Sequence, residues 1–287
     1  MSKNRPVPYL LLLPSLALVG LVAFYPVYYA VDISLYQTQF LQKTTFVGLG
    51  QYTRLLHDPD FLRALGTSLI YAGASLALTL PIGMIFALLL NRPIRFKAAF
   101  RTILIIPWTL SQTVTGMLWL WLLNPSYGPV KYLLDEAGFG QFLFLSSPDW
   151  ALAILVLVNT WMTYPLPTIL FQAALQTVPQ ELYESAKMDG CTAWASFWRV
   201  TLPFIQNTVM TTAIMTTLHF FNMVTLIYVM TGGGPLESTQ TLSVRVFLDA
   251  FANFRLAGAA AVGMVIFFLN IIFSLLYIRV LRRADMY

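Results

Sequence analysis

The chain has 287 residues, 58% of them hydrophobic and only 10% charged, with a mean hydropathy of +0.70. Soluble domains carry roughly a quarter charged residues, so this is a chain built for lipid rather than a pair of ordinary soluble domains. The formal charge of +5 and pI near 9.3 do not by themselves imply a nucleic-acid partner, because the placement of charge decides more than its sum; the single cysteine, Cys191, excludes an intrachain disulfide framework.

Six apolar segments, each near the ~20 residues a bilayer core requires, are expected at 9–31, 64–90, 99–123, 150–175, 204–230 and 256–281. They predict an all-α membrane protein with one transmembrane domain across 1–287. Lys3 and Arg5 precede the first segment, which is longer than the about 7–15 apolar residues of a cleavable signal and reads as a retained helix. Pro14, Pro26, Pro81, Pro107, Pro165 and Pro167 lie in or near the spans, where neighbouring helices and water can re-satisfy the backbone groups a proline frees. Between the spans, 46–61 has turn glycines and an amphipathic tail, 124–138 reads as a turn followed by a surface helix, and 231–242, with three glycines and a proline, reads as a sharp irregular turn.

Charge fixes the expected orientation. Eleven of the 17 Lys and Arg fall at the N-terminus, in 91–101, in 176–203 and at the C-terminus; the alternate loops hold six, Lys43, Arg54, Arg63, Lys131, Arg245 and Arg255. Acidic residues divide the other way, four against eight. The positive-inside rule therefore assigns both termini and the 176–203 loop to the cytoplasm.

The usual marks of an enzyme are missing. There is no Gly-x-x-x-x-Gly-Lys-Ser/Thr loop; Gly232–Gly234 lacks the lysine and reads as a turn. His57 and His219, the only histidines, are far apart in the chain, so no metal cluster and no catalytic residue is assigned. What remains are polar residues within spans: Trp108 and Gln112, four apart and so on one helical face, with Thr109, Thr113 and Thr115; Asn159, Thr160 and Thr163 ahead of Tyr164-Pro165; and Thr211, Thr212, Thr216, Thr217, His219 and Asn222. The plain reading of such groups is hydrogen bonding between helices. For the amides of Gln112, Asn159 and Asn222 a ligand-facing reading weighs about equally, since burying an amide costs more than burying a hydroxyl. Amides, hydroxyls and rings together suit a neutral sugar, and the spans carry no central Lys or Arg of the kind that would hold a phosphorylated or carboxylated substrate. His219 as a proton relay has no membrane carboxylate beside it.

The polar stretch 181–203, ELYESAKMDGCTAWASFWRVTLP, follows Pro179 and breaks at Gly190. It reads as two short helices meeting at that glycine, with small residues and carboxylates on one face, lying at a membrane surface where another protein can dock. Glu184, Ala186 and Gly190, then nine residues, then Val200, Leu202 and Pro203, match the Glu-Ala-Ala, three, Gly, nine, Ile-x-Leu-Pro loop of ABC-importer permeases, with Ser185 and Val200 as mild departures. FVGLGQY at 46–52, VNTWMTYP at 158–165, RVTLP at 199–203 and TGGGPLESTQTL at 231–242 extend the similarity over nearly the whole chain. It resembles the carbohydrate-uptake branch of bacterial ABC importers, in particular the permease that holds the sugar in the maltose transporter.

That resemblance implies a six-helix core in the bacterial inner membrane, paired with a second, related permease, two ATP-binding cassette ATPases and an extracytoplasmic sugar-binding protein. ATP and Mg would be held by the ATPases, so this chain would carry no cofactor. Glu184, Ser185, Ala186, Asp189 and Gly190 would form the coupling helix in an ATPase cleft, Glu184 pairing with polar or basic groups, Ala186 allowing close approach and Gly190 making the turn. Asn159 matches a sugar-contacting position directly; Trp108, Gln112, Met162, Thr163, Leu166, Thr216, Phe220 and Asn222 fall at or near such positions. Trp108 stands where the family has Tyr, Gln112 where it has Ser and Phe220 where it has Asn, and the extra N-terminal helices and large external domain of the maltose subunit are absent. The function implied is ATP-driven sugar import by alternating access. Glycerol-3-phosphate or polyol-phosphate import is the alternative within the family, and a proton-coupled secondary transporter or a membrane-embedded enzyme are the alternatives outside it.

Overall fold

Helix α1 (Val7–Ser34) is apolar along its length and largely exposed from Leu11 onward, with Ile33 and Ser34 buried at its end. The computed structural model describes residues 7–40, 42–93, 95–138 and 143–284; Lys3, Arg5 and positions 285–287, which enter the charge count above, lie outside the described residues. After α1 comes an antiparallel hairpin, β1 (Tyr36–Gln39) and β2 (Gln42–Phe46), with Tyr36 opposite Phe46, Thr38 opposite Lys43 and Gln39 opposite Gln42. The sequence reading has no strand here. The ion pair of Lys43 with Asp32 ties β2 to the end of α1, and the edge-on Tyr36–Phe46 ring pair at 5.3 Å joins the two strands. The amphipathic tail is helix α2 (Gly50–His57), and the second span is α3 (Pro59–Asn91).

The chain continues through α4 (Lys97–Thr109), α5 (Gln112–Leu122), α6 (Pro129–Glu136), α7 (Pro148–Thr163), α8 (Pro165–Leu175), α9 (Gln180–Met188), α10 (Ala193–Ser196), α11 (Leu202–Phe221), α12 (Thr225–Thr231), α13 (Leu242–Phe247) and α14 (Leu256–Ala284). Among the described residues three helices, α1, α3 and α14, are long and apolar enough to cross a bilayer alone, and counting each of three bent pairs as one span brings the number to six. The pairs are α4 with α5, meeting at 98°, α7 with α8 at 44°, and the 193–221 stretch with α12 at 44°.

Each break has a local cause. Pro107 sits in the last turn of α4, Leu110 is extended, and the Ser111 hydroxyl caps α5 by accepting from the Val114 N–H at 3.2 Å. The segment read from sequence as one span, 99–123, is therefore two helices. Pro165 and Pro167 open the turn between α7 and α8 by removing two donors. Between α11 and α12 the Met223 carbonyl leaves the helical ladder and accepts from the Ser243 hydroxyl at 2.8 Å.

By contacts the described chain divides into Met1–Leu62 with Arg245–Phe267 and Arg63–Val244 with Phe268–Tyr287. In the first unit, Arg245 pairs with Asp58 and with Asp249, and the Ala257 N–H donates to the Thr38 hydroxyl. The second unit has a core of Met84, Ala87, Phe171, Leu175, Val178 and Ile205. Two glycines set its close approaches. A Cβ on Gly83 would lie 2.7 Å from the Pro167 side chain, and one on Gly116 would lie 2.8 Å from Val229 Cγ1, so α3 can meet α8, and α5 can meet α12, only because those side chains are missing.

Candidate functional site

Two of the three broken spans break beside the same cavity. It has a volume of about 340 Å³ and is lined by Trp108, Leu110 and Gln112 at the α4–α5 corner, Met162, Thr163 and Leu166 around the α7–α8 turn, and Met215, Thr216 and His219 on α11. Irregular backbone at membrane depth is tolerated where it lines a cavity or is covered by protein. Six of the residues singled out from sequence, Trp108, Gln112, Met162, Thr163, Leu166 and Thr216, share this wall. Trp108 and Gln112 do so for a different reason than helical spacing, because the helix ends between them. Met215, Leu110 and His219 complete the wall. Met215 and His219 are four apart on α11, and Leu110 comes from a different span, so no single spacing rule points to all three.

The cavity is mostly apolar, with a few hydrogen-bonding groups set into its wall. Thr163 donates its hydroxyl hydrogen to the Asn159 carbonyl at 2.6 Å, and Thr216 donates to the Thr212 carbonyl at 2.7 Å. The Thr163 oxygen also lies 3.5 Å from the Thr79 hydroxyl, and the Thr163 and Thr216 oxygens each have a lone pair left to accept. The Gln112 amide adds two donors and an acceptor, and the Trp108 indole offers one N–H and a flat face. No Lys, Arg, Asp or Glu is among the lining residues.

Three of the singled-out residues are not on that wall. Asn159 is fully buried in α7, and neither Nδ2 nor Oδ1 of its side-chain amide has a partner among the described residues. Phe220 is buried in packing on α11. Asn222 follows the end of α11, where its side chain donates to the Leu218 carbonyl at 2.7 Å.

A second constellation is built around α9. Gly190 has φ of +75°; its N–H donates to the Lys187 carbonyl at 3.1 Å and the Cys191 N–H donates to the Ala186 carbonyl at 2.9 Å. This pair of bonds is a Schellman ending with glycine in the left-handed position. Thr192 then caps the next turn, accepting from the Ala195 N–H at 3.2 Å. The chain passes through a π-helical turn at Phe197–Thr201, where Pro203 supplies no N–H for a regular helical bond. The Tyr183 and Thr201 hydroxyls share a hydrogen bond at 3.1 Å that ties α9 to this turn. Glu184, Ser185, Asp189 and Gly190 are exposed along α9 and its end, whereas Ala186 is buried, 7% exposed. The small Ala186 side chain is the one position of this set that lies against the rest of the chain.

Long apolar helices, bent pairs that break beside one cavity, and a polar helix pair outside them are the features of a membrane transport subunit. The chain belongs to the family of binding-protein-dependent transport system inner membrane components, which matches residues 79–285. It is 30% identical over 98% of its length to the sulfoquinovosyl glycerol transport system permease protein of Agrobacterium fabrum, of which it covers 92%. It is 31% identical over 92% of its length to the sn-glycerol-3-phosphate transport system permease protein of Brucella abortus, of which it covers 90%. Its backbone matches a bacterial alginate ABC transporter, solved with an alginate pentasaccharide-bound periplasmic protein, with a TM-score of 0.83, 25% identity and coverage of 96% of this chain and 94% of that one. The protein is a multi-pass inner-membrane permease of an ABC importer.

Proposed function

We propose that this permease carries a sugar or sugar-like polyol across the inner membrane, and that the cavity at the α4–α5 and α7–α8 breaks is its contact site. The observation that carries the reading is the composition of the wall: one indole, one amide, two hydroxyls and an imidazole among apolar side chains, with no Lys, Arg, Asp or Glu. A pyranose needs that combination, hydrogen bonds at its rim and an apolar surface for its ring face. Trp108, Gln112, Met162, Thr163, Leu166 and Thr216 are the proposed contacts in this conformation. Asn159, Phe220 and Asn222 are proposed to act in another state of the cycle. The unpaired amide of Asn159 supports this, because leaving both its polar atoms unbonded is costly.

Glu184, Ser185, Ala186, Asp189 and Gly190 are proposed to dock in an ATPase, so that closure of two ATPase subunits on ATP rocks the spans of this chain against those of a second permease. The Schellman ending and the Tyr183–Thr201 bond support this, since a rigid joint transmits displacement. ATP and Mg belong to the ATPases in this reading, both termini are cytoplasmic, and a periplasmic binding protein delivers the substrate. The alginate transporter's complex with a periplasmic protein supports the last point.

A second reading is favoured by the relatives themselves, which carry sn-glycerol-3-phosphate and sulfoquinovosyl glycerol by name: the cargo is an anionic polyol or saccharide whose charge is met by the partner permease. The assembled importer and its binding protein, tested for ATPase stimulation against a panel of neutral sugars, acidic sugars and polyol phosphates, distinguishes the two. Stimulation by a neutral sugar supports the first, stimulation only by anions supports the second, and no stimulation by any of them rejects both.

A further inference from the structure

The cavity of about 1000 Å³ beside α9 is unlike the sugar-sized one. Its walls come from the C-terminal half of α3, from α8, from α9 and α10, and from the start of α11. On α3 the lining runs from Leu80 through Met84 and Leu88 to Asn91 and Arg92. Those twelve residue steps span roughly 18 Å at 1.5 Å each, close to the ~15 Å depth of one leaflet's hydrocarbon. Leu202 and Val209 line the facing side along α11. The walls are therefore aliphatic at one end.

Charge is confined to the other end. Arg92 and Lys187 are the charged residues of the lining, and both are basic. Among the described residues neither forms an ion pair. Beside them is a ring cluster, with Trp198 5.6 Å from Trp194 and 5.3 Å from Phe197 between centroids. Both tryptophans are half exposed or more, the arrangement indole rings take at a membrane interface. A groove of leaflet depth, apolar below and cationic above, matches a phospholipid with an anionic headgroup.

We propose that this cavity binds an anionic phospholipid of the cytoplasmic leaflet, its phosphate between Arg92 and Lys187 and its acyl chains between α3 and α11. The leaflet assignment rests on the orientation given under Proposed function. Because Tyr183 and Lys187 of α9 form one wall, an occupied groove would hold α9 at a fixed distance from α3, making the joint to the ATPase sensitive to the charge of the bilayer.

Cys191 lines the same cavity and is the only cysteine of the chain, so it reports occupancy directly. The assembled importer is placed in nanodiscs of phosphatidylcholine, or of phosphatidylcholine with phosphatidylglycerol, and maleimide labelling of this chain is followed by intact mass. The expected result is slower labelling with phosphatidylglycerol. Removal of one basic residue should weaken that protection roughly fivefold and removal of both about 25-fold; the variants are Arg92→Ala, Lys187→Ala and the pair. Arg92→Lys should restore most of it. Equal labelling rates in the two bilayers, or protection unchanged in the double variant, would overturn the proposal and indicate that a partner helix or any lipid covers the groove. The assay needs neither substrate nor ATP, so its outcome is separate from that of the import reading.

Discussion

Replacing Gly190 separates two ways in which the α9 joint could fail. The residue has φ of +75°, and a Cβ built there meets no atom of this chain within 4 Å. The cost of a substitution within this chain is therefore in the backbone. For alanine the left-handed conformation costs roughly 1–2 kcal/mol, a factor of about 5–30 between the wound and unwound ends of α9. Asparagine tolerates that conformation, whereas a β-branched valine is a true outlier there. Gly190→Asn, Gly190→Ala and Gly190→Val should then show progressively poorer coupling, measured in proteoliposomes as substrate imported per ATP hydrolysed, with the melting temperature of the complex nearly unchanged. A docked surface pressing on position 190 would reverse the first two, because asparagine is larger than alanine. Coupling worse in Gly190→Asn than in Gly190→Ala would refute the backbone argument.

Glu184→Lys should leave ATP hydrolysis intact while import is lost, and normal import by the assembled variant would remove exposed Glu184 from the docking face. Gln112→Ala should raise the substrate concentration needed for half-maximal import with little change in basal ATPase activity; equal import at limiting substrate would detach the α4–α5 corner from the site. Gly116→Leu overfills the contact with Val229 and should destabilise the bundle by about 1–3 kcal/mol, read as a lower melting temperature partly restored by adding Val229→Ala; a variant as stable as the parent would contradict the close packing of α5 on α12. At Asp58 burial pushes the carboxyl up, but hydrogen bonds from Arg245 and from the Asp60 and Phe61 N–H groups outweigh it, and the net shift is downward. Its stabilisation is therefore complete at neutral pH and lost as pH falls below about 4. Melting curves of the parent and of Asp58→Asn should differ at neutral pH and converge in acid, and a constant difference would argue against the ion pair.

The six spans are legible from sequence because runs of that length and apolarity have few alternatives to lipid. Their interruptions are less so. Apolar character is continuous across the α4–α5 corner, and the break depends on the Ser111 cap acting together with Pro107, a combination that hydropathy does not register. The hairpin at 36–46 is short and polar, and its pairing is a contact between two segments rather than a property of either. The end of α9 is the opposite case, since glycine at the left-handed position is a local signal and the chain turns where Gly190 predicts. At the cavity, residue type was informative and spacing was not. Trp108 and Gln112 meet across a break, and His219, set aside in the sequence as a relay without a carboxylate, lines the same wall.

The central claim is that this chain moves its cargo only as part of an ATP-driven assembly. Proteoliposomes containing the complete complex, with ATP inside and loaded binding protein outside, are to be compared with liposomes containing this chain alone under an imposed proton gradient. Uptake in the first, abolished by omitting either ATP or the binding protein, is the predicted result. Uptake by the isolated chain driven by the proton gradient would contradict it.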